Sequence, residues 1–250
     1  MKKSFFTKAF AATAGLFLIA GTTAYGQGMP GMDAAMMKMF GDNKNFTTDA
    51  ELSMVATNGT QNLVIPMTIS QLNGASRTDV DMEKAKGVMF PPETLQQLKT
   101  MGMTKVVNIV KPDAKLMMMM YTDMSSYLSV VLTQEQADAL TKAPNMVTTK
   151  IGTETINGHP CVKNKVVLTG DAGQKQEFTL WTATDLNSFP MKLQSMTPQG
   201  TLTILYKNTK LEKPDAKLFD VPAGYTKYTT QEAFQEAIMK KMMGGAPAPK

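Results

Sequence analysis

Alternation of apolar and polar residues at period two is the feature that most constrains how this chain folds. It begins near Phe46 and recurs as far as Glu212, in runs separated by Gly, Asn, Asp or Pro. Such runs are typical of strands with one buried face, and closely spaced turn residues favour antiparallel pairing. The Asn58-Gly59 dipeptide between the first two runs is a strong hairpin signal. Pro66 in the second run favours a sheet edge or a bulge, because proline donates no hydrogen bond to a ladder.

Four segments interrupt this alternation with the spacing or the end signals of short helices. The first ends at Gly41, the second is opened by two prolines and ends at Gly102, and the third has Thr133 as its N-cap. The fourth lies within residues 229–243. A sheet of about ten antiparallel strands cannot bury both of its faces in itself. The helices are therefore expected to cover one face of a curved sheet.

The N-terminus has the three parts of a secretory signal peptide. Lys2, Lys3 and Lys8 give a positive start, residues 9–20 are mostly apolar, and small residues occupy the −3 and −1 positions of a cleavage site after Gly26. The apolar core is too short to span a bilayer comfortably. We therefore expect cleavage there and a periplasmic or secreted protein without a transmembrane segment. The expected parts are a signal peptide (1–26), a flexible methionine-rich segment with a short helix (27–45), one β-rich domain (46–228), a C-terminal helix (229–243) and a disordered tail (244–250).

Composition argues against several classes of function. Arg77 is the only arginine, and no basic run is interleaved with aromatic residues, so the chain is poorly equipped to bind nucleic acid. His159 and Cys161 are the only histidine and the only cysteine. They leave a nucleophile without its further partners and a zinc ion without four ligands. We therefore expect no catalytic residue, no cofactor and no enzymatic activity.

The segment that holds His159 and Cys161 predicts a β-hairpin. Asn157-Gly158 favours the turn, and Cys161 opens the next strand after a proline. Along that strand Cys161 shares a face with Lys163 and Lys165, so parity places its side chain outward, although a bulge at the proline would reverse this. An exposed Cys161 would be free to pair with another chain.

Methionine is unusually abundant, with 23 residues in 250. Thioethers are soft ligands that suit copper(I), and methionine is also an adaptable apolar filler. In the run from Met117 to Met120 the side chains alternate between two strand faces, so they cannot converge on one ion. The run favours a strand that is apolar on both faces. A copper(I)-binding protein is the alternative function, with ligands from the two methionine-rich ends: Met29, Met32, Met36, Met239, Met242 and Met243.

The second half of the sequence resembles a known family. Three segments carry the resemblance: GTETINGHPCVKNKV, FTLWTATDLNSFPMKL and LEKPDAKLFDVPAGYTKY. The matching residues are Gly152, Gly158, Cys161, Lys163, Trp181, Asp185, Pro190, Phe219, Pro222, Gly224 and Tyr225. These segments resemble the LolA/LolB-like outer-membrane lipoprotein-sorting superfamily, and within it a periplasmic branch that ends in Phe-x-x-Pro-x-Gly-Tyr. The resemblance covers residues 146–228 by motif and residues 46–145 by the order of elements.

The resemblance implies a mainly β (α+β) fold, an incomplete antiparallel β-barrel (half-barrel) with short helices covering its concave face. In the characterised carriers of the superfamily, the cavity receives acyl chains of a lipoprotein in transit, and an arginine helps to hold the lid closed. We therefore expect a monomeric binding protein whose partners are lipid or lipoprotein acyl chains and other envelope proteins. The residues expected to line its cavity are Val64, Met117, Met119, Leu128, Val130 and Trp181.

Overall fold

The computed structural model describes residues 32–57, 62–87, 92–141, 145–170, 173, 175–197 and 200–242. The predicted signal peptide, the Asn58-Gly59 turn and the predicted disordered tail lie outside these residues. The strands of the described part are β1 (Asn45–Ala56), β2 (Asn62–Leu72), β3 (Ala75–Asp81), β4 (Lys86–Gly87), β5 (Lys105–Lys111), β6 (Leu116–Tyr121), β7 (Ser126–Val131), β8 (Asn145–Ile156), β9 (His159–Thr169), β10 (Lys175–Ala183), β11 (Pro190–Thr197), β12 (Gly200–Lys210) and β13 (Thr226–Tyr228). The helices are α1 (Met32–Met39), α2 (Pro92–Met101), α3 (Gln134–Thr141) and α4 (Gln231–Met242).

All of these strands belong to one sheet, whose order is β13-β7-β6-β5-β3-β2-β1-β12-β11-β10-β9-β8, with β4 paired to β2. Strand β13 runs parallel to β7, and the other pairings between described strands are antiparallel. Among the described residues, the end strands β13 and β8 do not pair with each other, so the sheet is not closed into a barrel. The predicted fold class, a mainly β incomplete barrel with short helices, is confirmed.

The strand register assembles an inner face that is strongly apolar. Leu52 is opposite Ile65 on β2 and Ile204 on β12, and Ile204 is opposite Leu193 on β11. Directly opposed residues of antiparallel strands project to the same face of the sheet. All four side chains are buried, so they form one stripe of the core across four neighbouring strands.

Pro66 lies in an interior strand, and this corrects the expectation of an edge or a bulge. On one side it is opposite Glu51 of β1, in a pairing without a register shift. On the other side, β2 pairs with β4 as far as Val64 and with β3 from Met67. The 3₁₀ turn Met82–Lys84 separates β3 from β4. Pro66 therefore occupies the gap between two pairings, where no ladder partner requires an N–H group.

The ends of the helices follow their local sequence signals. The Thr133 hydroxyl accepts a hydrogen bond from the Gln136 N–H at 3.2 Å, and the Gln136 side chain accepts one from the Thr133 N–H at 2.9 Å. This capping box starts α3. Thr230 accepts from the Ala233 N–H in the same way at the start of α4. Gly102, with a φ of 73°, ends α2. None of the helices in the described part has the length and apolarity needed to span a bilayer.

The helices cover the inner face at different places. Helices α2 and α4 contact each other, and Leu98 and Phe234 belong to one buried cluster with Tyr121 of β6. Helix α3 contributes Ala137 to a second cluster that includes Met117 of β6. Helix α1 leads into an aromatic group at the base of the largest core, where Phe40, Phe46, Phe189 and Tyr206 pack with ring centroids 4.6–5.9 Å apart.

Candidate ligand cavity

The inner face of the sheet holds a cavity of about 530 Å³. Its walls come from α1, α3 and the strands β2, β3, β5, β10, β11 and β12. The volume lies within the range of about 300–1,000 Å³ that is typical of small-molecule sites. Strands β5 and β10 are six positions apart in the strand order, which is about 29 Å in a flat sheet at about 4.8 Å per strand. Because both line one cavity, the sheet must be strongly curved around it.

Most of the side chains that line the cavity are apolar. Four of them are methionines, three from α1 and one from β2: Met36, Met37, Met39 and Met67. The strands add leucine, isoleucine, valine and phenylalanine, including Leu202 on β12. Methionine has no branch and several rotatable bonds, so such a wall can adapt to occupants of different shape.

The cavity reaches the protein surface beside α1 and α3, and this opening is called its mouth. These helices contact each other, and each contributes one exposed residue to the lining, Lys38 from α1 and Thr141 from α3. Among the described residues that line the cavity, Lys38 is the one with a charged side chain. The mouth of the cavity therefore carries a positive charge, whereas its interior is uncharged.

A few polar side chains lie within the apolar lining. Asn108 on β5 is 5% exposed, and its Oδ1 has no hydrogen-bond partner in the described structure. The Oε1 of Gln176 on β10 also has none. Gln71 lies nearby on the inner face of β2, where its Nε2 donates to the Met37 sulfur at 3.3 Å and its Oε1 has no partner. Buried acceptors without donors are rare in native proteins, so three of them around one cavity is notable.

Residues 62–210 match the family described as a domain of unknown function, DUF4412. The chain belongs to this family. A comparison with curated proteins found no match. Among solved structures, the chain is similar to LprF from Mycobacterium bovis (15% identity, 79% of this chain and 100% of that chain covered, TM-score 0.40). It is also similar to the lipoprotein LppX of Mycobacterium tuberculosis (11%, 71% and 94%, 0.39) and to a LolA superfamily protein from Nitrosomonas europaea (10%, 78% and 98%, 0.34).

Four of the six residues predicted to line the cavity of this DUF4412 chain lie on the inner face, but beside the cavity. Met117 and Met119 are opposite Val110 and Asn108, which do line it. Leu128 and Val130 are opposite Met119 and Met117 on the next strand. The clusters formed with α2, α3 and α4 cover this part of the face. Helix packing therefore fills the space above Met117, Met119 and Val130.

The other two predicted lining residues, Val64 and Trp181, project to the outer face. Val64 is opposite Ser53, one residue away from the inner-facing Leu52. Trp181 is opposite Lys192, whose ammonium nitrogen lies 4.4 Å from the centre of the indole ring. Lys163 approaches the ring at 5.0 Å, and the indole N–H donates to Glu154 at 2.7 Å. Outer-face charged residues thus pack against Trp181, which is 2% exposed.

Two of the methionines predicted as copper(I) ligands have described side chains, and they lie on different helices. Met36 lines the cavity, and Met239 is 46% exposed on α4. Helix α1 contacts α3, whereas α4 contacts α2. For the remaining four the residue or its side chain lies outside the described part: Met29, Met32, Met242 and Met243. Within that part, no three His, Cys, Asp or Glu side chains converge as a metal site. The copper(I) site stays a prediction.

The segment around His159 forms the predicted hairpin. Asn157 and Gly158 have φ angles of 50° and 84°, and β8 and β9 pair antiparallel directly after them. The Nδ1 atom of His159 lies 2.9 Å from the Asp185 carboxylate. Asp185 therefore orients the imidazole ring. No sequence signal indicated this contact, because the two residues are 26 positions apart.

Cys161 projects to the outer face, as parity predicts, but it is 2% exposed. The segment after β10 folds back here, and Thr184 donates to the Pro160 carbonyl from its N–H at 2.9 Å and from its hydroxyl at 3.1 Å. Burial raises the pKa of the Cys161 thiol, which keeps it protonated at neutral pH. A buried, protonated thiol is a poor nucleophile and a poor partner for a disulfide between chains. The predicted outward direction of Cys161 is therefore confirmed, whereas the hypothesis of an exposed thiol that pairs with another chain is wrong.

Within the described part of the chain, the hydrogen bonds of Arg77 do not go to the helices that cover the inner face. It lies on the outer face of β3, where its Nε donates to Asp79 at 2.7 Å and its Nη1 donates to the Leu218 carbonyl. Leu218 belongs to the 3₁₀ turn Ala216–Phe219. Phe219 of this turn packs against Met118 of β6. Arg77 thus fastens this turn to the outer face, and β6 is apolar on both faces, as the methionine run indicates.

Proposed function

We propose that the protein is a non-enzymatic binding protein of the cell envelope that holds an apolar ligand, the acyl chains of a lipid or lipoprotein, in the inner-face cavity. The observation that supports this proposal is the cavity itself, with a volume of about 530 Å³, walls of methionine and aliphatic side chains, and exposed lining residues on α1 and α3. The predicted signal peptide supports a periplasmic or secreted location. The protein would act as a monomer, since the cavity is built within one chain.

Burial of methylene groups would provide the binding energy. Each methylene moved from water into an apolar environment contributes about 0.8 kcal/mol. A ten-carbon segment would therefore contribute about 8 kcal/mol before the costs of association are subtracted. The lining methionines can change rotamer at small cost, so we expect chains of different length to bind with similar affinity.

The positive charge at the mouth would determine which end of the ligand lies in the cavity and which end stays at the surface. A charged head group is costly to bury without a partner, and the interior of the cavity offers it none among the described residues. Lys38 at the mouth can pair with a carboxylate or a phosphate that stays in water. An acidic lipid would therefore enter with its tail first and leave its head group beside α1.

Native mass spectrometry of protein purified from its own envelope tests this proposal, together with displacement of a fluorescent fatty acid. The expected results are co-purified lipid and saturable binding of the fluorescent probe, with one site per chain. A protein that carries no lipid and binds no probe would contradict the proposal. Titration with copper(I) against a competing chelator examines the alternative function. Tight copper(I) binding that is lost when residues 27–40 and 237–250 are removed would favour that alternative.

A further inference from the structure

The cavity contains polar groups that an unmodified acyl chain would leave without partners. Asn108 lies in the middle of β5, opposite Thr78 on β3, and both residues line the cavity. The Asn108 side chain is more than nine-tenths buried, and its Oδ1 accepts no hydrogen bond within the described structure. A buried acceptor in this state loses its hydration without compensation, which destabilises the fold.

The second unpartnered acceptor comes from the other arm of the curved sheet. Gln176 lies on β10, next to Phe178 in the cavity lining, and its Oε1 is also without a donor in the described structure. Asn108 and Gln176 thus line the same apolar cavity, although their strands are six positions apart in the strand order of the sheet. Each of these two strands therefore presents a buried carboxamide oxygen that has no hydrogen-bond donor in the described structure.

We propose, on the basis of the proposed function, that the natural ligand is a lipid with a hydroxyl group on the part of its chain that enters the cavity, and that Asn108 and Gln176 bind this hydroxyl. A hydroxyl donates one hydrogen bond and accepts others, so it can pair with both the oxygen and the NH₂ group of a carboxamide. Neither Oδ1 of Asn108 nor Oε1 of Gln176 is open to solvent in the empty cavity. Rotation about the terminal amide torsion, which is broad, would turn either oxygen towards the ligand.

The uncharged interior favours a hydroxyl over an ionised group. Among the described lining residues, Lys38 is the one with a charged side chain, and it lies at the mouth. A carboxylate or phosphate placed beside Asn108 would be buried without a cation, which is far more costly than burial of a neutral hydroxyl. The acidic part of the ligand is therefore expected at the mouth, and its hydroxyl farther along the chain.

Competition against a fluorescent fatty acid tests the inference with two ligands, stearic acid and a stearic acid hydroxylated in mid-chain. The wild-type protein should bind the hydroxylated acid about five- to tenfold more tightly, the ratio given by about one net hydrogen bond. Asn108→Leu should remove this preference and retain the affinity for stearic acid. This variant should fold, because leucine fills a similar volume and removes an unpartnered acceptor.

Asn164→Leu is the matched control. Asn164 is another buried asparagine of the inner face, on β9 opposite Leu180, but its Nδ2 already donates to the Val162 carbonyl and the Thr182 hydroxyl. It does not belong to the cavity lining. This variant should keep the preference for the hydroxylated acid.

The possible results separate the inference from the proposed function. Equal wild-type affinity for the two acids would overturn the inference and leave the proposed function standing. A preference that survives both Asn108→Leu and Gln176→Leu would overturn the role assigned to these residues. Failure to bind either acid would overturn the proposed function itself.

Discussion

Two regions of the same inner face differ in what covers them. In the open region, between β5 and β10, the apolar face surrounds the cavity, and α1 and α3 lie at its mouth. In the closed region, on β6, helices α2 and α4 pack directly onto Tyr121 and Met119 of the same face. The strands alternate in the same way in both regions. The comparison shows that the position of the helices, and not the pattern of the strands, decides where the sheet can hold a ligand.

Phe234→Ala should produce the largest change in stability, because it removes the centre of the closed region. The Phe234 ring stacks on Tyr121 at a centroid distance of 4.9 Å and meets Tyr228 edge-on at 5.4 Å. Truncation of a buried phenylalanine to alanine costs about 3–5 kcal/mol. Urea unfolding should show this loss in the free energy of unfolding. The affinity for a fluorescent fatty acid should stay unchanged wherever the variant is folded.

Met239→Ala on the same helix is the matched control for this variant. Met239 is 46% exposed, so its truncation should change the free energy of unfolding by no more than about 0.5 kcal/mol. A fall in fatty-acid affinity for Phe234→Ala, in the folded protein, would mean that the closed region takes part in ligand binding. This result would contradict the conclusion that the open region alone holds the ligand.

Leu202→Trp should have the opposite effect, a loss of binding with little loss of stability. Leu202 is a partly buried residue of β12 that lines the open region. An indole at this position can extend into the cavity, so the strain of overpacking a filled core should be small. Competition for the space should lower the affinity for the fluorescent fatty acid at least about tenfold, or about 1.4 kcal/mol.

Leu205→Trp makes the same exchange on the same strand but on the outer face. Leu205 is opposite Glu51 and Lys192, whose side chains project away from the cavity. This variant should bind the probe as the wild type does. Binding of the probe by Leu202→Trp at wild-type affinity would show that the ligand does not occupy the open region.

The sequence contains enough information to predict the strands and their alternation, but not which inner-face residues remain uncovered. Period two is a local property, and it correctly groups Met117 with Met119 on one face of β6. Met119 is covered by the cluster of Phe234, which is more than a hundred positions away in the chain, and Met117 by the cluster of Ala137 on α3. The position of the cavity is therefore a long-range property that one strand cannot reveal.

Trp181 and Pro66 are two further residues whose positions the local sequence pattern does not predict. A single tryptophan in an apolar strand favours a place in the core, but lysines from two neighbouring strands and Glu154 pack against it on the outer face. Proline within a strand favours an edge, but a break between β3 and β4 gives it an interior position without a lost hydrogen bond. In both cases the deciding partners are brought by pairing of strands, which a local pattern does not specify.

Two buried tyrosines, one in each region, allow a pH measurement that compares the solvation of the two regions. Tyr206 packs edge-on against Phe40 and Phe189 below the cavity, and Tyr121 stacks on Phe234 in the closed region. Burial raises the pKa of both phenols well above the ordinary value of 10.0. Above pH 10 the unfolded chain therefore releases phenolic protons that the folded protein retains. Stability is fully present below this pH and falls as the pH rises, by about 1.4 kcal/mol per pH unit for each tyrosine.

Tyr206→Phe and Tyr121→Phe should each remove the contribution of one tyrosine to this decrease in the free energy of unfolding. Urea unfolding between about pH 9 and pH 11 measures it. Close to pH 10 each contribution is a fraction of 1 kcal/mol, so this is the smallest of the expected effects. Equal contributions would mean that the cavity leaves Tyr206 as dry as the closed region leaves Tyr121. If Tyr206→Phe leaves the slope unchanged while Tyr121→Phe reduces it, water in the empty cavity reaches the base of the open region. The bound acyl chain would then have to displace that water, and its affinity would include the free energy of doing so.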